Sequence, residues 1–559
     1  MHTPSLLLLV LSAALACAQQ PPPAAESAAY ETQKKEKLCR ITGRTLHSQT
    51  GEPVRKVKLI LHQMRMESKS YSAVSDAEGK FSIDDIEPGT YQLTAERAGF
   101  LRQSYGSRRY GFSGTALTLM TGQELKDLEF KLMPQGVITG KVLDEEGEPV
   151  RGAFINVTRQ VQSGGGRGAG MGGEQANDVG DYRVADLAPG RYIVQANPTP
   201  DFWGRQEGVE KSDEVREAHV PTFYPGVTDA ASASAVEVGP GQEVSGINIT
   251  LRKSRVYRVS GSVSGATAGQ LKMMNLSLSP RDRKAMVMFF GGGGARANAD
   301  GTFTIGKVQP GSYNLSLMLR GDGRPQVVGR APVDVGEADV EGVVVRVSQG
   351  LTLNGFVRVE GKEKIEIHGV RLMLRPTEGI GFGMQNAMVK EDGTFRMDGV
   401  MPDRYSIGTY NLPEGTYLKS VRFGNQDAPD KSVDLSQAQG STSIELVLSP
   451  NAGTVEGLVT DDEKPAQGIS VLLMPDPPIA DDPSQTKWAN TDQNGRFSIK
   501  GVAPGDYKLY ASAESLTDVL QDPDALRPFE EKAVKVTVSE KGREQKELTL
   551  LKPEDARPK

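Results

Sequence analysis

The chain has 559 residues, of which 37% are apolar, 65 are Lys or Arg and 71 are Asp or Glu, for a net charge of −6. That length exceeds what one hydrophobic core usually holds, so several domains are expected. The small net charge and the scatter of the basic residues exclude a nucleic-acid partner held by phosphate neutralisation.

In chain order, residues 1–18 are expected to be a signal peptide. Leu6 to Leu11 form a short apolar run, and Ala16-Cys17-Ala18 suits cleavage after Ala18. The segment before the run carries no Lys or Arg, only His2. Cys17 offers a second route, a lipid anchor, although Ala14 stands where such signals usually carry Leu. Either route implies a secreted, periplasmic or outer-envelope location. Residues 19–38 are rich in Pro and Ala and then in charge, the composition of a disordered linker. Cleavage leaves Cys39 as the one cysteine, so no internal disulfide is expected. No later stretch reaches the roughly 20 apolar residues of a membrane-spanning helix.

From residue 79 onward one pattern recurs five times: Gly-x-aromatic-x-apolar, an apolar residue, then Pro-Gly-x-Tyr-x-apolar. The copies are 79–93 (GKFSIDDIEPGTYQL), 180–194 (GDYRVADLAPGRYIV), 301–315 (GTFTIGKVQPGSYNL), 393–407 (GTFRMDGVMPDRYSI) and 495–509 (GRFSIKGVAPGDYKL). The signature tyrosines, Tyr91, Tyr192, Tyr313, Tyr405 and Tyr507, recur at the size of one small sandwich domain, roughly 100 residues. The expected units are 39–134, 135–253, 254–348, 349–450 and 451–559.

Each unit opens on a short strand around a glycine: Gly43, Gly140, Gly261, Gly355 and Gly457. Apolar alternation with period two follows, as at Val57, Leu59 and Leu61, which marks strands with one buried face. The Gly that opens each signature suits a turn needing positive φ. The signature itself reads as a hairpin. Its Pro-Gly pair fits a type II turn, which Asp403 in the fourth copy would alter. The signature Tyr is expected to bury its ring and bond its hydroxyl to nearby backbone. Only Leu516 to Leu526 could hold a short helix. The expected fold class is all-β: five tandem Ig-like or prealbumin-like antiparallel β-sandwich domains.

The Gly-x-Pro-Val passages (Gly51 to Val54, Gly147 to Val150), the Asp-x-x-Gly-x-Phe turn and the Pro-Gly-x-Tyr pattern resemble carboxypeptidase regulatory-like domains. They are also similar to collagen-adhesin B-type repeats and to starch-binding-like domains of prealbumin-type fold. The resemblance spans nearly the whole mature chain, in the manner of secreted bacterial proteins. It implies β-sandwich units with accessory, adhesive or sugar-binding roles.

Catalysis finds little support. Zinc chemistry needs converging ligands, yet His47, His62, His219 and His368 lie in three units and form no metallopeptidase motif. No Gly-x-Ser-x-Gly elbow is present. The glycine tract from Gly168 to Gly173 lacks a strand–helix unit around it and reads as a loop, as does 291–294. Asp492-Gln493-Asn494-Gly495 lacks the remaining ligands of a calcium loop and reads as a turn. No cofactor is expected.

The B-type resemblance raises an internal Lys–Asn cross-link, for which Lys141 and Asn248 of the second unit are the candidates. The acid that usually follows is missing, with Gln195 in that region. For sugar, exposed aromatic faces are needed beside polar groups. The candidates are Trp203 and Tyr224 around the second unit's insertion, Trp488 before the fifth signature, and Tyr105 and Tyr110 in the first unit's Arg/Tyr loop, which also holds Arg108, Arg109 and Phe112. The reading is a non-catalytic secreted or cell-envelope protein that recognises carbohydrate. The alternatives are a structural or envelope-protein-binding scaffold, and the accessory region of a metallopeptidase-type system.

Overall fold

The computed structural model describes residues 38–552 apart from 65–68, 108–113, 161–171, 199–216, 282–293, 320–325, 349, 362–364, 378–384, 425, 429, 439, 479–485 and 514–522. The expected signal peptide and all of the expected linker but Leu38 lie outside the described residues.

Five separate clusters of buried apolar side chains follow one another along the chain, one for each copy of the signature. Every cluster contains the two signature aromatics: Phe81 and Tyr91, Tyr182 and Tyr192, Phe303 and Tyr313, Phe395 and Tyr405, Phe497 and Tyr507. Burial of each such ring contributes about 1.5–3 kcal/mol, so the signature anchors each core.

The first unit shows the plan. Its opening strand Cys39–His47 lies between Lys80–Ile86 and Glu124–Leu132 in one sheet. Lys58–Gln63 lies between Ser70–Val74 and Gly89–Glu96 in the other. The alternating burial of Cys39–His47 and Lys80–Ile86 places one face of that sheet on the core. Among the described strands, pairing is antiparallel except along the opening strand of each unit. There the opening strand runs parallel to the closing one, as Cys39–His47 does with Glu124–Leu132 and Gly453–Asp461 with Arg543–Thr549.

That close parallel approach explains the opening glycine. A Cβ at Gly43, Gly140, Gly261, Gly355 or Gly457 would fall within contact distance of a closing-strand carbonyl, those of Leu128, Ile247, Val343, Ile444 and Lys546 respectively. In the first, fourth and fifth units it would also strike the ring of Phe81, Phe395 or Phe497.

The signature is not a hairpin. Its two strands belong to different sheets: Lys80–Ile86 pairs with the opening strand, whereas Gly89–Glu96 pairs across the sandwich with Lys58–Gln63. The same division holds in every unit. The bend is set by a bulge just before the proline, where the register shifts and one residue takes positive φ. That residue is Asp85, Asp186, Lys307, Gly399 or Gly501, with φ of 56°, 57°, 57°, 72° and 69°. The Pro-Gly glycine does not take the left-handed conformation of a type II turn. At Gly311 and Gly505 φ is 158° and 154°, and the glycine begins the second strand. By contrast, the glycine that opens each signature has positive φ in all five copies, from 72° at Gly495 to 84° at Gly301.

Each signature Tyr then staples the corner. Its hydroxyl donates to the carbonyl four residues upstream: Tyr91 to Glu87 at 2.7 Å, Tyr313 to Gln309 at 3.0 Å, Tyr405 to Met401 at 2.9 Å, Tyr507 to Ala503 at 2.8 Å, and Tyr192 to Ala188. A buried ring with a satisfied hydroxyl is the arrangement a sandwich requires of Tyr.

Helix is scarce among the described residues. Thr267 caps the one-turn helix Ala268–Leu271 through a capping box with Gln270. A 3-10 helix, Pro523–Lys532, covers a small apolar cluster around Leu472, Tyr510 and Leu526 on the outer face of the fifth unit.

Candidate functional site

Five repeated corners use their conspicuous residues internally, so a site must be sought where the units differ. One such place is a cleft of about 410 Å³ between the fourth and fifth sandwiches.

The fourth unit supplies the outer face of two neighbouring strands, Arg371–Pro376 and Arg404–Tyr410. Tyr405 and Ile407 point into the core, and the alternation carries Tyr410 to the outside, where it is 48% exposed. The fifth unit supplies two edge strands, one from each of its sheets: Lys487–Asn490 and Arg496–Val502. Ala489 packs on the core, so Trp488 beside it faces away and is 56% exposed. Ser406, Thr409, Thr486 and Ser498 add hydroxyls to the lining.

The lining is basic. Arg375, Lys487 and Lys500 contribute to it, and no Asp or Glu does among the described residues. The Lys500 ammonium is neutralised by Glu414 of the fourth unit at 2.6 Å. Arg375 and Lys487 make no ion pair among the described residues. Burial holds the Lys487 ammonium below the usual lysine range, and the nearby charge of Lys431 acts in the same direction.

The sequence-derived candidates are dispersed. Trp488 lines the cleft. Tyr105 is partly buried against the first core, tilted at 59° to Phe130 with ring centroids 5.5 Å apart, and burial raises its hydroxyl above the usual tyrosine range. Tyr224 is half-buried against the second core, and its main chain bonds to Val194 and Ser234. Trp203, Tyr110, Arg108, Arg109 and Phe112 lie outside the described residues.

Lys141 and Asn248 do meet, but through fold contacts. The Lys141 backbone N–H donates to Asn248 Oδ1 at 2.9 Å, while the Lys141 ammonium turns to Asp181 at 3.1 Å and is half exposed. The Asp492 carboxylate accepts from the backbone N–H groups of Asn494 and Arg496, both at 2.8 Å, which makes it a turn residue. His47 Nδ1 accepts from the N–H groups of Gln49 and Thr50, and the His62 ring bonds to Ser70. No group of three or more metal-ligating side chains is present among the described residues. Most of the glycine tract lies outside them, and its end begins the strand Gly172–Gln175.

Sequence reasoning missed Tyr410, Arg375 and Lys487. Tyr410 was marked only by its outward place in the strand begun by the signature. Lys487 was marked only by its position next to Trp488.

Residues 40–133 match the family model of the carboxypeptidase regulatory-like domain, which spans the first sandwich. The chain resembles an array of regulatory-like domains. Residues 484–543, which include Lys487 and Trp488, match the model of polysaccharide lyase family 4, domain II. No curated protein matches the chain. Solved structures similar to it include GBS52, a minor pilin of Streptococcus agalactiae, at 14% identity over 39% of this chain and 96% of that one, with a TM-score of 0.21. The major pilin subunit BcpA of Bacillus cereus is 9% identical over 56% of this chain and 99% of that one, with a TM-score of 0.16. The Bacillus anthracis TIE protein is 10% identical over 73% of each chain, with a TM-score of 0.15. Similarity at that level carries no information on function.

Proposed function

We propose that this regulatory-like array is a non-catalytic recognition protein of the secreted or cell-envelope kind, and that it takes carbohydrate in the cleft between its fourth and fifth sandwiches. The observation that carries the reading is the pairing of two exposed aromatic rings, Trp488 and Tyr410, in one cleft lined by hydroxyls. Aromatic faces cover the apolar face of a pyranose ring, and serine and threonine hydroxyls exchange hydrogen bonds with its edge. The match of residues 484–543 to a domain named for polysaccharide lyases supports the same ligand class. The apolar run and small-residue site at residues 1–18 support export.

A glycan array probed with the full mature chain tests the reading. Binding to polysaccharide that is lost on Trp488→Ala and weakened on Tyr410→Ala is the expected result. A blank array, with insoluble polysaccharides also failing to retain the protein, would leave the scaffold role as the better description.

A further inference from the structure

The cleft has a chemical bias that a neutral sugar does not need. Its ion pairing is incomplete: Lys500 is matched by Glu414, but Arg375 and Lys487 have no carboxylate among the described residues. This occurs in a chain whose acidic residues outnumber its basic ones, 71 to 65. Other cations of the chain do reach carboxylates, for example Lys419 to Glu360 at 2.6 Å and Lys508 to Asp476 at 3.1 Å. A half-buried ammonium beside a second lysine is costly unless an anion joins it.

Resting on the carbohydrate reading above, we propose that the cleft selects an acidic polysaccharide, one whose sugar rings carry carboxylates, with Arg375 and Lys487 meeting the carboxylates while Tyr410 and Trp488 cover the rings. The two cations come from different units, Arg375 from the fourth and Lys487 from the fifth. A bound acidic chain would therefore tie the two sandwiches together. Arg can meet a carboxylate through two parallel hydrogen bonds, and Lys meets it as a point charge. Desolvation of Lys487 in the free protein means that a ligand carboxylate restores an interaction the ammonium lacks.

Titration calorimetry of the full mature chain with oligogalacturonate and with its methyl ester tests the proposal. The two ligands share their rings and differ in charge. The acid form is expected to bind about tenfold or more tightly than the ester, with an affinity that falls as salt rises. Lys487→Met and Arg375→Met are each expected to erase most of that preference, the affinity for the acid form falling toward that for the ester. Equal affinity for both ligands, or a preference that survives both substitutions, would overturn the acidic selectivity and leave ring recognition standing. Failure of both ligands to bind, with neutral polysaccharides failing as well, would overturn the carbohydrate reading and the selectivity together.

Discussion

The Arg330 guanidinium of the third sandwich donates to the Asp403 carboxylate of the fourth at 2.9 Å, with side-chain exposures of 32% and 23%. Asp403 stands at the signature position that is glycine in the other four copies. A Cβ at Gly311 would lie 3.2 Å from the Tyr313 ring, yet the fourth unit accommodates the Asp403 side chain and Tyr405 still bonds to Met401. In the fourth unit the position has been turned outward to join two units, and the departure from the repeat has an inter-unit use. A double-mutant cycle of Asp403→Gly and Arg330→Gln is expected to give a coupling energy of about 0.5–1 kcal/mol, reduced by salt, in urea unfolding of the full chain. Additive effects would show that the pair does not hold the junction.

The tyrosine staple should be worth one hydrogen bond per corner. Tyr313→Phe and Tyr405→Phe keep the buried ring and remove only the hydroxyl that reaches Gln309 or Met401. Each is expected to destabilise its own unit by about 1 kcal/mol in chemical denaturation, with no change in the other units. A cost near zero would mean that water replaces the bond at the corner.

The same tyrosines predict an alkaline limit. Burial raises Tyr91, Tyr192, Tyr313 and Tyr405 above the usual tyrosine value, as it does Tyr182. A phenol raised in the folded state favours folding fully below its unfolded value of about 10 and loses that contribution as pH climbs through the folded value. Stability should therefore be flat with respect to these groups below about pH 10 and fall above it. Tyrosinate absorbance should rise together with loss of circular dichroism. Ionisation of these tyrosines at about pH 10 with the fold intact would contradict the buried corner.

The opening-strand glycine should tolerate no side chain. At Gly355 a Cβ meets both the Ile444 carbonyl and the Phe395 ring. Gly355→Ala is expected to cost about 1–3 kcal/mol by overpacking, read as an earlier melting transition of the fourth unit. Gly269→Ala, where no atom lies within 4 Å, supplies the control and should change little.

Much of the fold was legible because the signature couples local and core requirements in the same residues. Gly79 and its counterparts announce a positive φ, and Phe81 and Tyr91 announce a core. The corner was not legible. Pro-Gly reads as a turn in isolation, and only the pairing of Gly89–Glu96 with Lys58–Gln63 reveals that the chain has changed sheets. The parallel approach of the opening and closing strands spans most of a unit and leaves only the glycine as its trace. The candidate site was legible in part. Trp488 stood out as one of only two tryptophans, whereas Tyr410, Arg375 and Lys487 acquire meaning only when two units meet. Tyr105, a candidate of the first unit's Arg/Tyr loop, packs on Phe130, a contact that its place in the sequence does not announce.

The central claim is that Trp488 is a ligand-facing ring and not a stray surface residue. Tryptophan fluorescence of the full chain during titration with soluble polysaccharide tests it most directly, with Trp488→Ala and Tyr410→Ala alongside. The account predicts a saturable change in the wild type, abolished in Trp488→Ala, and an affinity lowered about thirtyfold, or ~2 kcal/mol, in Tyr410→Ala. A saturable change that persists in Trp488→Ala, or a wild-type signal that no polysaccharide moves, would contradict it.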